Sequence, residues 1–493
     1  MSSAQEAAAR LLLAHIPSDV LDAAAPRVAP PAGMSPFLMG LGVVADCAAG
    51  VLCTDPETAA SMGDVPYVYA RTSTTASDME AAGSARALLT SSGGGTSHAA
   101  VLARTWRTPC IVGTGFELRG GALIRADGTS IQPGQQITVC GATGTVWRGD
   151  VPQQRDAGAA ALLESLDEAA LELESLPGPA VYANADTAEQ VETCYRLGAR
   201  GVGVARTEHM FFGDDELPML RRALWPRDAD DAGRAMAVLE RRLTDKTVDL
   251  MRASAGRKLV IRLLDPPVHE FADPGDVDGP RESNPMMGVR GGRLGVVRPE
   301  IYRMQVRAMV AAHRSLAVSR RAGLTVLLPF ISFGSELRRL LEVIEVDPRD
   351  GIDIGAMIET PEAVFRVREI AAVADMLSVG SNDLLQFCLA MSRDDVASAL
   401  IPAYVEGGLV PADPMAHLDH SVSVMALLGQ MAQAARGTPW GLCGEHAADP
   451  SSLRAVLPLG PAYVSVSAVG VLRARLEVAR HRAKMLRPSS AAG

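Results

Sequence analysis

No apolar run in the chain reaches the ~18 residues of a membrane-spanning helix, so no membrane partner is expected. Cysteine is sparse. Seven are spread over 493 residues, at Cys47, Cys53, Cys110, Cys140, Cys194, Cys388 and Cys443, with no CxxC pair and no zinc-like spacing. Such a set reads as free thiols in a reducing compartment. The first residues, Met1 to Ala14, mix Gln5, Glu6 and Arg10 into their apolar positions, which excludes a secretory signal pattern and points to a cytoplasmic protein. A Gly-rich P-loop is missing, as is a GxGxxG at a strand-to-helix turn, so this chain by itself is not expected to bind ATP. Nor is there a large excess of one charge. Lys plus Arg is 47 against 57 Asp plus Glu, a net charge of −10, which excludes broad binding to nucleic acid or to an anionic membrane. Any anion must be gripped locally.

What is present is ordinary globular material, 48% hydrophobic and 21% charged, in a length that holds two or three domains. Residues 1–33 contain one amphipathic helical stretch, Ala7 to Ile16, then Pro26, Pro30 and Pro31, and read as a lead-in. Residues 34–148 alternate short β-like runs with glycines, for example Pro66 to Ala70, Pro109 to Gly113, Gly121 to Arg125 and Gln136 to Val139, and form one compact domain. Residues 149–179 read as a helical linker. From 180 to 493 a single theme recurs: a short β-branched or apolar run, a polar or glycine turn, then a helical stretch. The runs are Val181 to Asn184, Gly201 to Ala205, Leu259 to Leu264, Thr325 to Pro329, Ile352 to Ile358, Met376 to Val379, Trp440 to Cys443 and Tyr463 to Ser467. Eight such units predict an α/β architecture with a (β/α)8 TIM barrel, an open doubly wound sheet being the alternative.

A barrel of this kind carries its active site where the strands end. The unusual polar residues fall there: Arg206-Thr207-Glu208-His209, then Arg262 through Asp265, Glu359, Ser381-Asn382-Asp383 and Cys443-Gly444-Glu445-His446. Between the third and fourth runs, Asn284 to Arg293 adds a glycine-punctuated loop with Arg290. Arg262 and Arg290 offer planar forks for phosphate or carboxylate oxygens. Glu359 and Asp383 are hard oxygen ligands of the kind Mg2+ uses. Any one of these alone reads as an ordinary loop charge; five strand ends in agreement do not. Cys443, at a strand end before Gly-Glu-His, reads as a reactive or proton-donating thiol with Glu445 and His446 as possible neighbours.

The smaller domain carries Gly93-Gly94-Gly95-Thr96-Ser97-His98-Ala99-Ala100-Val101-Leu102-Ala103-Arg104. The glycines permit a tight turn, Thr96 or Ser97 can cap the helix that follows, and His98 falls in the first turn. Free N–H groups and the dipole at a helix N-terminus favour a phosphate carried there.

That string, with Pro109-Cys110-Ile111-Val112-Gly113, resembles the phosphohistidine swivelling domain of the phosphoenolpyruvate-utilising enzymes. Gly-Val-Gly-Val-Ala-Arg-Thr-Glu-His-Met-Phe-Phe from Gly201, Arg-Leu-Leu-Asp-Pro-Pro-Val-His-Glu-Phe from Arg262 and Cys-Gly-Glu-His from Cys443 are most similar to the pyruvate, phosphate dikinase branch. The resemblance implies that His98 carries the phosphoryl group, Arg262 and Arg290 bind substrate phosphate, and Glu359 with Asp383 holds Mg2+. It further implies that Gly380, Ser381 and Asn382 line the substrate site with them and that Cys443 exchanges a proton with the pyruvate methyl carbon. The linker would let the His98 domain swing. The expected activity is reversible phosphoryl transfer between phosphoenolpyruvate or pyruvate and His98, with homodimerisation through the barrel.

Departures accompany the matches. Gly95 stands where methionine is usual, Ser381 where threonine is common, and Ser467-Ala468-Val469-Gly470 replaces a Ser-Pro turn. The sequence shows no ATP-grasp domain ahead of the swivelling domain, so the expected phosphoryl acceptor is unknown, a separate ATP-grasp protein being one candidate. A phosphoenolpyruvate-binding regulator without turnover is the rival reading. A metal-dependent hydrolase leaves the His98 string unexplained.

Overall fold

The eight β-branched or apolar runs close into a parallel barrel in the computed structural model of the chain. The strands are β1 (Ala180–Asn184), β2 (Gly201–Arg206), β3 (Lys258–Arg262), β4 (Gly323–Leu328), β5 (Asp353–Ile358), β6 (Met376–Gly380), β7 (Trp440–Cys443) and β8 (Tyr463–Val466). Each pairs in parallel with the next, and β8 pairs with β1, which excludes the open sheet. The structure describes residues 26–31, 33–74, 78–93, 97–154, 157–211, 216–225, 228–265, 282–318, 321, 323–344, 351–396, 400–435 and 437–485. The helix expected over Ala7 to Ile16 lies outside these residues.

Inward-facing side chains fill the barrel, as the close packing of protein interiors requires. Val260, Leu327, Met357, Met376, Cys443 and Tyr463 make one buried cluster, with the Tyr182 ring stacked on Tyr463 at a centroid distance of 5.2 Å. Gly441 makes room for this stack. A Cβ there would stand 2.3 Å from Cε1 of Tyr463.

N-terminal caps start the helices cleanly and so define the loops at the strand ends. Thr187 accepts from the Gln190 N–H, Thr360 from the Ala363 N–H and Asp449 from the Ser452 N–H. Pro361 and Pro450 open their helices, where a missing N–H costs nothing.

The chain forms two compact units. Over the described residues, the first comprises 26–177, 391–417 and 475–485, and the second 178–390 and 418–474. The helix expected in the linker is Ala157–Glu172 and belongs to the first unit. There an eight-stranded mixed sheet has the order 38–39, 145–148, 136–140, 47–53, 67–71, 87–90, 110–112, 41–44. Its core is Leu52, Val68, Leu89, Ile111, Leu123, Ile137, Val139 and Val146, all buried.

The expectation of seven free thiols is corrected at one pair. Cys47 and Cys140 face each other on neighbouring antiparallel strands, their Cα atoms 4.1 Å apart, and form a disulfide. Strand pairing joins residues 93 apart in sequence, which spacing alone does not reveal. Cys53, Cys110, Cys194, Cys388 and Cys443 are free thiols. Among the described residues, no helix is long and apolar enough to cross a membrane.

Candidate active site

Two arginines stand side by side where β2 and β3 end, since Arg206 and Arg262 are register partners. Gln305, on the helix Pro299–Ser315, ties the segments that follow them. Its side-chain oxygen accepts from Thr207 Oγ1 at 2.8 Å and from the Leu264 N–H at 3.0 Å. Arg262 is paired with Glu208 and, at 3.0 Å, with Asp265. Burial alone would lower its pKa; Glu208, Asp265 and Glu359 outweigh that and keep the guanidinium charged.

Arg290 enters from the segment that follows β3, just ahead of the helix Gly292–Val297. Its Nη2 donates to Asp265 Oδ2 at 2.8 Å and to Asp383 Oδ2 at 2.9 Å, and its guanidinium lies 4.5 Å from the centre of the Phe330 ring. Phe330 follows β4 with φ at 56°, a left-handed conformation that costs energy in a non-glycine residue. That backbone turn aims the Phe330 N–H at Glu359 Oε1, 3.0 Å away.

Asp265 and Glu359 are buried, Asp383 nearly so, and the three place carboxylate oxygens within 4.8 Å of one another. Burial, then Asp265 and Asp383, push the Glu359 carboxyl well above its ordinary range, against the pull of Arg262 and Arg290. Crowded hard oxygens at this spacing fit a divalent cation, which would relieve their repulsion. Sequence reasoning selected Glu359 and Asp383 and noted Asp265 at a strand end without giving it a role. The Arg262-x-x-Asp265 pairing at a strand end was the available signal.

Gly380 ends β6 against this cluster. An added Cβ would meet Glu359 Oε2 at 2.5 Å, while the backbone itself suits an L-residue, with φ at −83°. We expect Gly380→Ala to fold normally and to weaken divalent-metal binding about tenfold or more, as a displaced ligand does. Calorimetric titration with Mg2+ and Mn2+ checks this.

Ser381 Oγ donates to the Cys443 carbonyl at 2.9 Å and lies 2.9 Å from His446 Nδ1. Asn382 Oδ1 accepts from the Glu445 N–H at 3.2 Å, and Asp383 Oδ1 from Gln386 at 3.2 Å. Gly444 makes this junction possible. Its φ of 104° favours glycine, and a Cβ would strike Ser381 Oγ at 2.4 Å.

Cys443 ends β7, 3% exposed. Its Sγ donates to the Val379 carbonyl at 3.1 Å and accepts from Ser378 Oγ at 3.3 Å. Burial pushes the thiol up to about 12, so it is protonated at neutral pH. Glu445 and His446, read from sequence as possible neighbours of the thiol, are engaged by Asn382 and Ser381. Ser378 is the hydroxyl that reaches the sulfur, and sequence reasoning missed it.

His98 opens the helix His98–Trp106 in the first unit. Ser97 occupies the cap position, but its side chain makes no capping hydrogen bond, which corrects that expectation for Ser97; its Oγ is buried without a partner among the described residues. The hydroxyl is turned toward Gly93 instead. Gly93 has φ at 105°, and a Cβ there would lie 2.9 Å from that oxygen. Thr96 lies outside the described residues.

Thus Arg262, Arg290, Glu359, Gly380, Ser381, Asn382, Asp383 and Cys443 cluster at the strand ends of the second unit, while His98 belongs to the first. The model for the "PEP-utilising enzyme, PEP-binding domain" matches residues 161–483, and that for the "PEP-utilising enzyme, mobile domain" matches residues 64–144. The chain is 34% identical over 453 residues to a pyruvate, phosphate dikinase of Rhizobium meliloti (strain 1021), covering 84% of this chain and 49% of that protein. A pyruvate, phosphate dikinase of Clostridium symbiosum is 33% identical over 453 residues, covering 84% and 51%. Pyruvate, phosphate dikinase 1, chloroplastic, of Arabidopsis thaliana is 33% identical over 454 residues, covering 84% and 46%. The chain spans about half the length of these curated relatives.

Proposed function

The chain belongs to the PEP-utilising enzymes, and from that membership we propose that it transfers a phosphoryl group reversibly between phosphoenolpyruvate (PEP) and His98, with pyruvate as the other product. The observation that carries the reading is one buried constellation. Two arginines, three crowded carboxylates and a protonated thiol meet beyond the ends of β3, β5, β6 and β7.

In the forward direction a nitrogen of His98 attacks phosphorus, the bond from phosphorus to the enol oxygen breaks, and its electrons stay on the pyruvate enolate. Arg262 and Arg290 hold the phosphate and carboxylate oxygens by forked, charge-assisted hydrogen bonds. Arg206, in register with Arg262, extends that grip. Glu359 and Asp383, with Asp265 beside them, would hold Mg2+, which supplies positive charge opposite a developing enolate oxygen. Cys443 gives its proton to the terminal carbon of the enolate, completing pyruvate, and is reprotonated from solvent. A thiol held near pKa 12 is suited to that step, because it does not ionise before the carbanion is there to take the proton. Ser378 orients the sulfur, and Ser381 and Asn382 hold the segment that carries it.

Incubation with 32P-labelled PEP and Mg2+ tests the proposal. The expected result is acid-labile, base-stable label on His98 and about one equivalent of pyruvate per chain, the stoichiometry of a single-site covalent intermediate. Binding of PEP with no label and no pyruvate identifies the chain as a non-transferring binder and overturns the reading. An ATP-grasp protein added in trans, with AMP and pyrophosphate or ADP as acceptors, is expected to discharge the label.

A further inference from the structure

We infer that Asp186 is a positioning residue that holds Arg206 in the substrate grip, sharing one carboxylate oxygen between that arginine and His209. Asp186 follows β1 and is 8% exposed. Its own N–H is tied to Gln190 Oε1 at 2.8 Å, and Thr187 beside it caps the next helix, so the carboxylate is fixed from both sides. Oδ1 accepts from the Arg206 backbone N–H at 2.7 Å. Oδ2 accepts from Arg206 Nη2 at 3.0 Å and lies 2.7 Å from His209 Nδ1.

These contacts do different things. The Oδ1 bond fixes where β2 ends, and the Oδ2 bond fixes where the guanidinium points. Arg206 keeps a donor in reserve, since its Nε is buried without a partner among the described residues. An ionised carboxylate only accepts, so the imidazole must donate from Nδ1. Burial raises the Asp186 pKa, but Arg206 and His209 outweigh it and hold the carboxyl well below its usual range, so it is ionised at any pH where the protein works. The long Arg206 side chain loses rotamer freedom to this anchor before substrate arrives, a cost that would otherwise be taken from binding.

The inference rests on the PEP reading for its kinetic test and stands apart from it for its spectroscopic one. In Asp186→Asn, which keeps an oxygen for the Arg206 N–H, the PEP concentration for half-maximal labelling of His98 should rise on the order of tenfold, as loss of a hydrogen bond to a charged group does. The plateau rate should change less than about threefold, because uniform binding is what is lost. In an Arg206→Ala background the same substitution should add nothing, since residues acting through one another are not additive. An unchanged half-saturation, or the full effect persisting in Arg206→Ala, overturns the inference while leaving the PEP reading intact.

The second arm uses the wild-type chain without substrate. In a spectrum of 15N-histidine-labelled protein, the signal absent from His209→Gln should report a proton on Nδ1. A bare Nδ1 with the proton on Nε2 overturns the inference whether or not PEP is turned over. Wild type that takes no label removes the PEP reading, and the tautomer then decides the role of Asp186 by itself.

Discussion

His98→Ala takes no label from 32P-PEP and forms no stoichiometric burst of pyruvate, a loss on the order of 10⁴-fold or more, as expected when the nucleophile itself is removed. The reason is covalent: the phosphoryl group needs a nitrogen lone pair, and alanine has none. The same variant is expected to bind PEP with an affinity within about twofold of wild type, because the substitution removes none of the groups proposed to grip substrate. The groups proposed to grip substrate, Arg206, Arg262 and Arg290, all belong to the second unit, and His98 to the first. His98→Ala should also still exchange the methyl protons of pyruvate with deuterium from solvent when Mg2+ is present. That partial reaction asks only for the arginines, the carboxylates and Cys443. Cys443→Ala should show the complementary loss, no exchange with binding retained. A label in His98→Ala, measured by acid-lability and peptide mapping, would place the carrier elsewhere.

Glu359→Gln is expected to lower the rate of labelling by about 10²–10³-fold, the scale of losing one electrostatic stabiliser of a developing anion. Shape is kept and one charge is removed from a cluster that also contains Asp265 and Asp383. Stability should move the other way or not at all. Burial and its two carboxylate neighbours already disfavour the charged form of Glu359, so an uncharged amide relieves rather than adds strain in metal-free protein. The expected signature is a Tm in chelator at or above that of wild type. With Mg2+ at about a hundred times its Kd, wild type gains about 2.7 kcal/mol and its Tm rises, whereas the variant's rises little. Thermal melts with and without Mg2+ check both halves. A variant that melts well below wild type in chelator would show that Glu359 is needed for folding, and one that gains the full Mg2+ shift would remove it from the metal site.

The barrel was readable from sequence because each strand is a short β-branched or apolar run bounded by glycine or polar turns, and all eight expected runs lie within two residues of the strands observed. The same regularity placed Arg262, Glu359, Asp383 and Cys443 at strand ends. Ser378 and Asp186 were not selected, and Arg206 and Asp265, noted at strand ends, were given no role. Asp265 looks like an ion-pair partner of Arg262 until the chain brings Glu359 and Asp383 to it across more than ninety residues. Ser378 looks like any strand hydroxyl until register sets β6 beside β7. Asp186 sits in a turn that reads as a helix start, and only the pairing of β1 with β2 turns it toward Arg206.

By itself, then, the sequence determined the eightfold recurrence of strand and helix, the glycine-rich string ahead of His98, and a net charge of −10. Those are local properties, set by side-chain period, turn chemistry and composition. The tertiary structure alone decided which charges share a site, that Cys443 is buried and protonated, that Cys47 meets Cys140, and that Asp186 stands behind Arg206. Those depend on distances between residues far apart in the chain, and on the removal of water that makes a carboxylate or a thiol change its proton affinity.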